Sequence, residues 1–338
     1  MNTPVRYKTA ALIPSPPPRA PARAPQPGDA VAVAVAAAIL AVRAGEPVVA
    51  VVPAQGAREE SLPCGPFCPR SHGTLEGGVG AWTRAQIGVE VGFLQQLGAA
   101  AEGADAEPAQ PTVAVSYLAL VGPRQCSDRT QASWRSWYNF FPWEDWRHGR
   151  PDCLADLLGR LEAWAAEAGP PCATPSPGER RQRIRLAFGV AGAGWDEERV
   201  LDRYELLQEA GLIGPVAADG TTAPPLPRPV PQLLGDHARV LARAVGELRR
   251  AVKCRPVVFE LMPDEFTLFE LQRTVEAVLG PHLHKQNFRR MVEGGGLVEP
   301  TGEHRLRTGG RPARLYRFRR DVLWERTAPG VRVKAGRT

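Results

Sequence analysis

Cys64, Cys68 and His72 recur at intervals of four in LPCGPFCPRSHGTLE, a set of side chains able to ligate zinc. A structural zinc usually takes four ligands from paired knuckles, and Pro66 and Pro69 interrupt any helix that would align these three. No metal is therefore expected here. The chain's six cysteines lie far apart over 338 residues, which fits reduced thiols rather than a disulfide framework.

A second concentration of chemistry is WRSWYNFFPWEDWR, Trp134 to Arg147. Seven of its fourteen residues are aromatic, and four are tryptophans. Such rings fill cores and subunit contacts, and they also stack on nucleobases or pyridine rings. A positively charged nicotinamide would add a cation–π contribution. As a ligand platform the segment would offer Trp134, Trp137, Tyr138 and Trp143 for stacking. Arg135 and Arg147 could meet phosphate or carboxylate, and Glu144 and Asp145 could accept from ribose hydroxyls or an amide. No strict period runs through it, and Pro142 breaks it, so packing and ligand contact both stay open.

The third is electrostatic. Lys285 to Arg320 holds ten Lys or Arg against three Glu, a net of +7, when the whole chain carries only +6. A basic block inside a folded region points to a polyanion. Its local pattern is specific. TLFELQRTVEAVLG opens with Thr267 and Glu270 at capping-box spacing and closes on Gly280, which predicts a helix. The short turn PHL then leads into HKQNFRRMVEGGG, a second helix with Phe288, Met291 and Val292 inward. LVEP and ARLYRFRR follow as two extended runs around the loop TGEHRLRTGGRP. Helix, tight turn, basic helix and hairpin is a winged helix-turn-helix. Lys285, Asn287, Arg289 and Arg290 would face the major groove. Arg305, Arg307, Arg311 and Arg314 of the wing would meet phosphates or the minor groove.

These features must be positioned by the rest of the chain. Residues 1–27 hold eight prolines and read as a disordered tail. AVAVAVAAAILAV is too short to cross a bilayer. With RAGEPVVAVVPA it reads as a β-hairpin around a Gly-containing turn rather than as a signal peptide. PTVAVSYLALVG, Pro111 to Gly122, reads as a central strand. LADLLGRLEAWAAEAG and WDEERVLDRYELLQEAGL read as amphipathic helices. The Pro-containing PPCATPSPGERRQR joins them, and ADGTTAPPLPRPVPQ forms a stiff linker. DHARVLARAVGELRR is a helix with Asp236 at its N-cap, ended by Pro256 and followed by a short extended piece.

The stretch from Leu62 to Gly98, a loop, TLE and a helix ending in glycine, resembles the Nudix signature. Active Nudix hydrolases carry Gly, five residues, Glu, seven residues, Arg-Glu, two residues, Glu-Glu, one residue and Gly, and the carboxylates bind Mg²⁺. With Gly88 as the terminal glycine, the Arg-Glu pair falls on Ala81 and Trp82. The Glu-Glu pair falls on Ala85 and Gln86, and the earlier Glu falls on Gly73. Glu76 and Glu90 remain, one at each end of the helix, unable to share a metal. PVVFELMPDEFTLFELQ, KQNFRR and GGRPARLYRF resemble the winged helix of the Nudix-related regulators of NAD metabolism, the NrtR and NadQ types. WRSWYNFFPWEDWR and WDEERVLDRYELLQEAGL are similar to the NadQ branch.

The resemblance implies an α+β protein: a Nudix-like mixed-sheet α/β/α sandwich, then helices, then a winged helix-turn-helix. The expected layout is a tail over 1–27, a sensor domain over 28–168 and a connector over 169–235. A DNA-binding domain over 236–326 and a tail over 327–338 complete it. It implies a cytoplasmic homodimeric repressor without catalytic residues or cofactor. Its partners would be a near-palindromic double-stranded DNA and an NAD-related effector of the NAD, ADP-ribose, ATP or nicotinate class, with no membrane. The alternative is a Nudix-type diphosphate hydrolase with a partner-binding winged helix. An RNA-binding or scaffold role is a third reading.

Overall fold

The computed structural model describes residues 31–54, 59–102, 112–126, 132–167, 175–214, 230–305, 312–325 and 330–331. Its first two strands, β1 (Ala32–Arg43) and β2 (Glu46–Pro53), form the expected hairpin. The turn residues Ala44 and Gly45 both take left-handed φ, 50° and 85°, as two-residue hairpin turns require. In β1 the even positions Ala38, Leu40 and Val42 enter one core, and the odd positions Val35, Ala37, Ile39 and Ala41 enter another. A strand buried on both faces reads as a continuous apolar run, which is why the sequence shows no polar alternation there.

The sheet is mixed. β3 (Glu60–Ser61), β4 (Cys64–Pro66), β5 (Phe93–Glu102), β6 (Thr112–Leu120) and β7 (Ser133–Ser136) complete it, in the order β3-β2-β1-β6-β5. β6 runs parallel to β1 over nine paired residues, and β5 runs antiparallel to β6. β4 pairs with β1, and β7 with β2.

One face is covered by α2 (Leu75–Ile87), whose Val79 and Ile87 share a buried cluster with Val35, Ile39 and Tyr117, and the short α1 (Pro69–His72) precedes it. The other face carries α3 (Trp137–Phe140), α4 (Leu154–Ala166), α5 (Pro177–Phe188), α6 (Val200–Glu209) and α7 (His237–Cys254). α8 (Leu268–Leu279) and α9 (Lys285–Gly294) join the same hydrophobic cluster. The helix-turn-helix therefore rests on the core of the sheet instead of hanging from a linker. β8 (Val298–Arg305) and β9 (Ala313–Phe318) form the wing, a bridge from Phe266 to Tyr316 adds a third strand contact, and α10 (Val322–Glu325) follows. The expected α+β class, a Nudix-like mixed sheet followed by a winged helix, is the architecture found. Among the described residues no helix is long and apolar enough to cross a membrane.

Three local expectations change. The second half of the segment expected as a Pro-containing loop is α5, where Ser176 and Glu179 make a full capping box and Pro177 occupies the first turn, a helix start that proline tolerates. Val257–Leu261 is a 3-10 turn rather than an extended piece. Asp236 stands at the N-cap of α7 without capping it, and its carboxylate lies 3.5 Å from Arg239 instead.

Candidate functional site

The basic helix is built from its apolar minority. Phe288 and Val292 of α9 are buried, and Met291 packs beside them, anchoring worth about 1.5–3 kcal/mol per fully buried side chain. At 100° per residue this inward pair places Gln286 and Arg290 on the opposite side, with Arg289 along one flank, Asn287 along the other and Lys285 in the first turn on the side of Val292. All five are exposed. Among the described residues Lys285, Gln286 and Arg289 have no side-chain partner, and Arg290 reaches only Asn287, at 3.4 Å. Gln286, which can pair with an adenine edge, was not among the residues singled out from the sequence. Its place opposite Phe288 and Val292 was the available signal.

The turn before α9 is fixed from α8. Glu276 accepts from the backbone N of Leu283 at 2.9 Å and from Gln272 Nε2 at 2.8 Å. Thr267 and Glu270 form the expected capping box at the start of α8. Glu270 also anchors the wing, because Arg305 donates to its Oε1 at 2.6 Å and to the carbonyl of Glu265 at 3.4 Å. Arg305, expected on DNA, links wing and helix through these bonds while staying partly exposed. Arg314 is exposed, its guanidinium 5.7 Å from the centre of the Tyr316 ring. Arg307 and Arg311 lie outside the described residues.

At α2 the polar groups turn inward. Thr74 caps the helix by accepting from Gly77 N at 3.0 Å, and Gly88 ends it in the left-handed conformation. Gln86 accepts from the backbone N of Cys64 at 3.1 Å and donates to its carbonyl at 2.9 Å. Trp82 donates from Nε1 to the Pro66 carbonyl at 3.0 Å, and its indole fills the space a side chain at position 65 would need. Two positions that would carry magnesium-binding glutamates thus tie the helix to β4. Glu76 Oε1 lies 3.5 Å from Tyr117 Oη, and exposed Glu90 pairs with Arg84. His72 accepts at Nδ1 from the backbone N of Cys68. Among the described residues no cluster of His, Cys, Asp or Glu could hold a metal ion.

The aromatic segment divides in two. Trp137 and Trp143 are fully buried, so neither offers a ring face to solvent. Trp134, on β7, packs against the core under α2, and Arg135 pairs with Glu60 at 2.9 Å. Tyr138 and Arg147, by contrast, border a cleft of about 600 Å³ with Glu46, Ser136, Asn139 and Asp145, within the size range of small-molecule sites. Arg147 lies over the Tyr138 ring at 4.8 Å and binds Asp145 and Glu46. Partial burial works against the Asp145 carboxylate, but its bonds from Arg147 hold its pKa below the usual value.

Glu144, expected to face ribose, is fully buried and takes both oxygens into ion pairs, with Arg203 of α6 and Arg249 of α7. Arg249 also donates to the Val278 carbonyl at 2.9 Å, and Tyr138 Oη donates to the Ala277 carbonyl at 2.9 Å. The buried tyrosine is pushed up in pKa by its desolvation. Sequence reasoning missed this junction. A pairing across 105 residues leaves no local trace, and the acidic pair beside Pro142 looks like any exposed turn.

Residues 258–318 match the family model of the NrtR DNA-binding winged helix domain, which bears out the resemblance over that part of the chain. The ADPR responsive transcriptional repressor NtrR of Acinetobacter baylyi is 41% identical over 83 residues, 25% of this chain and 33% of that protein. In this match the chain spans about a third of the curated relative's length. The crystal structure of Shewanella oneidensis NrtR complexed with a 27mer DNA aligns with a TM-score of 0.52 at 18% identity, covering 86% of this chain and 94% of the other. The same protein without DNA gives 0.51 at 20% identity, covering 86% and 95%. At these identities the structures show a shared fold.

Proposed function

We propose that this chain is a transcriptional repressor that grips a near-palindromic duplex through α9 and the wing. Its sheet domain answers to an NAD-related nucleotide of the ADP-ribose class. The observation that carries this reading is α9 itself. Among the described residues its cations stand exposed and without a carboxylate partner, on a helix seated by Phe288 and Val292, inside a segment that matches a DNA-binding winged helix domain. Lys285, Asn287, Arg289, Arg290 and Arg314 supply the contacts, and Gln286 joins them. Arg305 acts by holding the wing. The name of the Acinetobacter relative supports an ADP-ribose effector. Tyr138 and Arg147 of the cleft are the residues of the aromatic segment placed to touch it, and the regulated genes would be those of NAD biosynthesis. A homodimer follows from the two-fold symmetry of such an operator.

The same reading holds that the Nudix-like domain binds without turnover, because Trp82 and Gln86 are engaged with the backbone of β4. Selection of bound duplexes from a random pool, with and without ADP-ribose, NAD, ATP or nicotinate, tests the whole of it. A near-palindromic sequence should emerge, and ADP-ribose should shift its affinity. Equal binding of selected and unrelated duplex at one salt concentration would sink the repressor. Magnesium-dependent cleavage of ADP-ribose or NADH, lost on Glu76→Gln, would favour the hydrolase.

A further inference from the structure

The last turn of a helix leaves carbonyls without partners inside the helix. In α8 those carbonyls precede the turn into α9, so whatever binds them sets where α9 begins. Two are taken by side chains from outside the matched segment 258–318. Tyr138 Oη donates to Ala277, and Arg249 Nε donates to Val278, each at 2.9 Å. Gly280, which closes the helix at φ 100°, lies against the same segment: a Cβ there would stand 3.3 Å from the Glu144 carbonyl and 3.6 Å from Trp146 Cβ. The segment from Tyr138 to Trp146 thus clasps the end of α8.

Glu144 holds this clasp together. One carboxylate oxygen binds Arg249 Nη1 at 2.6 Å, and Arg203 takes both oxygens from the side of α6. Arg249 further donates to the Glu197 carbonyl at 3.0 Å, and Arg203 to those of Ala187 and Asp196 at 2.7 and 2.9 Å. All three ionic side chains are buried, with at most 1% of the side chain exposed. Burying charge costs desolvation that apolar packing would avoid, so such a group adds less to stability than to the choice of one geometry.

We propose that Glu144 is a positioning residue for DNA recognition. Acting through Arg249, it fixes the end of α8 and hence the placement of α9 relative to the sheet. The DNA part of this claim rests on the repressor reading; the geometric part stands without it. Three of the four points of the clasp, Tyr138, Glu144 and Trp146, lie on the stretch of chain that borders the cleft at Tyr138, Asp145 and Arg147, so events in the cleft and the setting of α9 share one segment.

The test uses the full chain with Cys64, Cys68, Cys153, Cys172 and Cys254 changed to serine, buried Cys126 kept, and spin labels on cysteines placed at Gln96 of β5 and Glu303 of the wing. Distance distributions are recorded for the native sequence, Glu144→Gln and Tyr138→Phe. Affinity for the selected duplex is measured at one salt concentration. Glu144→Gln should broaden or shift the distance and weaken duplex binding roughly tenfold, with helical content kept. Tyr138→Phe, which removes one hydrogen bond, should weaken binding roughly threefold in the same direction. A role in stability alone would lower Tm yet leave both distance and affinity native, and that result overturns the proposal. Should Glu144→Gln not fold, Tyr138→Phe decides by the same two readouts. Should the native chain select no duplex, the repressor reading falls, and the distance distributions alone judge the positioning.

Discussion

Helices α2 and α9, of 13 and 10 residues, treat their polar atoms in opposite ways. In α2, Gln86 and Trp82 are bound to the backbone of β4. In α9, Lys285, Gln286 and Arg289 reach nothing among the described residues. A helix that meets an outside partner must leave its hydrogen-bonding groups unspent and hold its place through a few apolar side chains. A helix whose polar groups are satisfied at home has become part of the frame. Here α2 belongs to the frame, and the exposed surface proposed to meet DNA lies at the other end of the chain.

The sharpest way to break that contrast is Arg289→Ala with Arg290→Ala. Two arginines facing a groove are worth about 1–3 kcal/mol each. The selected duplex should therefore bind about 100-fold more weakly or worse, with unchanged circular dichroism and Tm; near-native affinity would mean that α9 is no freer than α2. Trp82→Ala is the converse experiment. It should cost about 2–3 kcal/mol in equilibrium denaturation, toward the low side for a tryptophan because the ring is half-buried, and leave duplex affinity alone. Gln86→Glu places a carboxylate against the Cys64 carbonyl and should cost about 1–2 kcal/mol. A gain of magnesium-dependent cleavage from that one change would show α2 to be less committed than its contacts indicate.

The smallest effect lies on the seam between sheet and helices. His237 of α7 accepts at Nδ1 from the backbone N of Leu62 at 3.1 Å, and burial lowers its pKa below the usual 6.5. Its neutral form is the folded one. Its contribution is therefore complete above pH 6.5 and is lost as pH falls through the lowered folded value. The gap in Tm between the native chain and His237→Ala should shrink from pH 7.5 to pH 5; a constant gap refutes the assignment.

Much of the fold was legible in the residues because the signals are local. Thr267 and Glu270 announce a helix start, Gly88 and Gly280 mark ends, and Phe288 with Val292 gives α9 its inward face. α5 could have been found in the same way from Ser176, Pro177 and Glu179, had the prolines before it not suggested a loop. The aromatic segment was not legible. Its residues divide among a strand paired with β2, a single helical turn and a 3-10 turn, and no period survives such changes. Glu144 and Arg305 were assigned to outside partners because charge on a turn or wing usually faces water. Their partners, Arg203, Arg249 and Glu270, are set only by tertiary packing.

At the turn between β1 and β2, Ala44 is exposed and holds φ 50°, a conformation that costs a residue with an L-configured Cβ about 1–2 kcal/mol. Asparagine tolerates that geometry better, so Ala44→Asn should raise the melting temperature rather than lower it. A gain there would give an engineer seeking a hardier version a solvent-facing position at which to begin, with exposed Ala191, also at φ 50°, as a second.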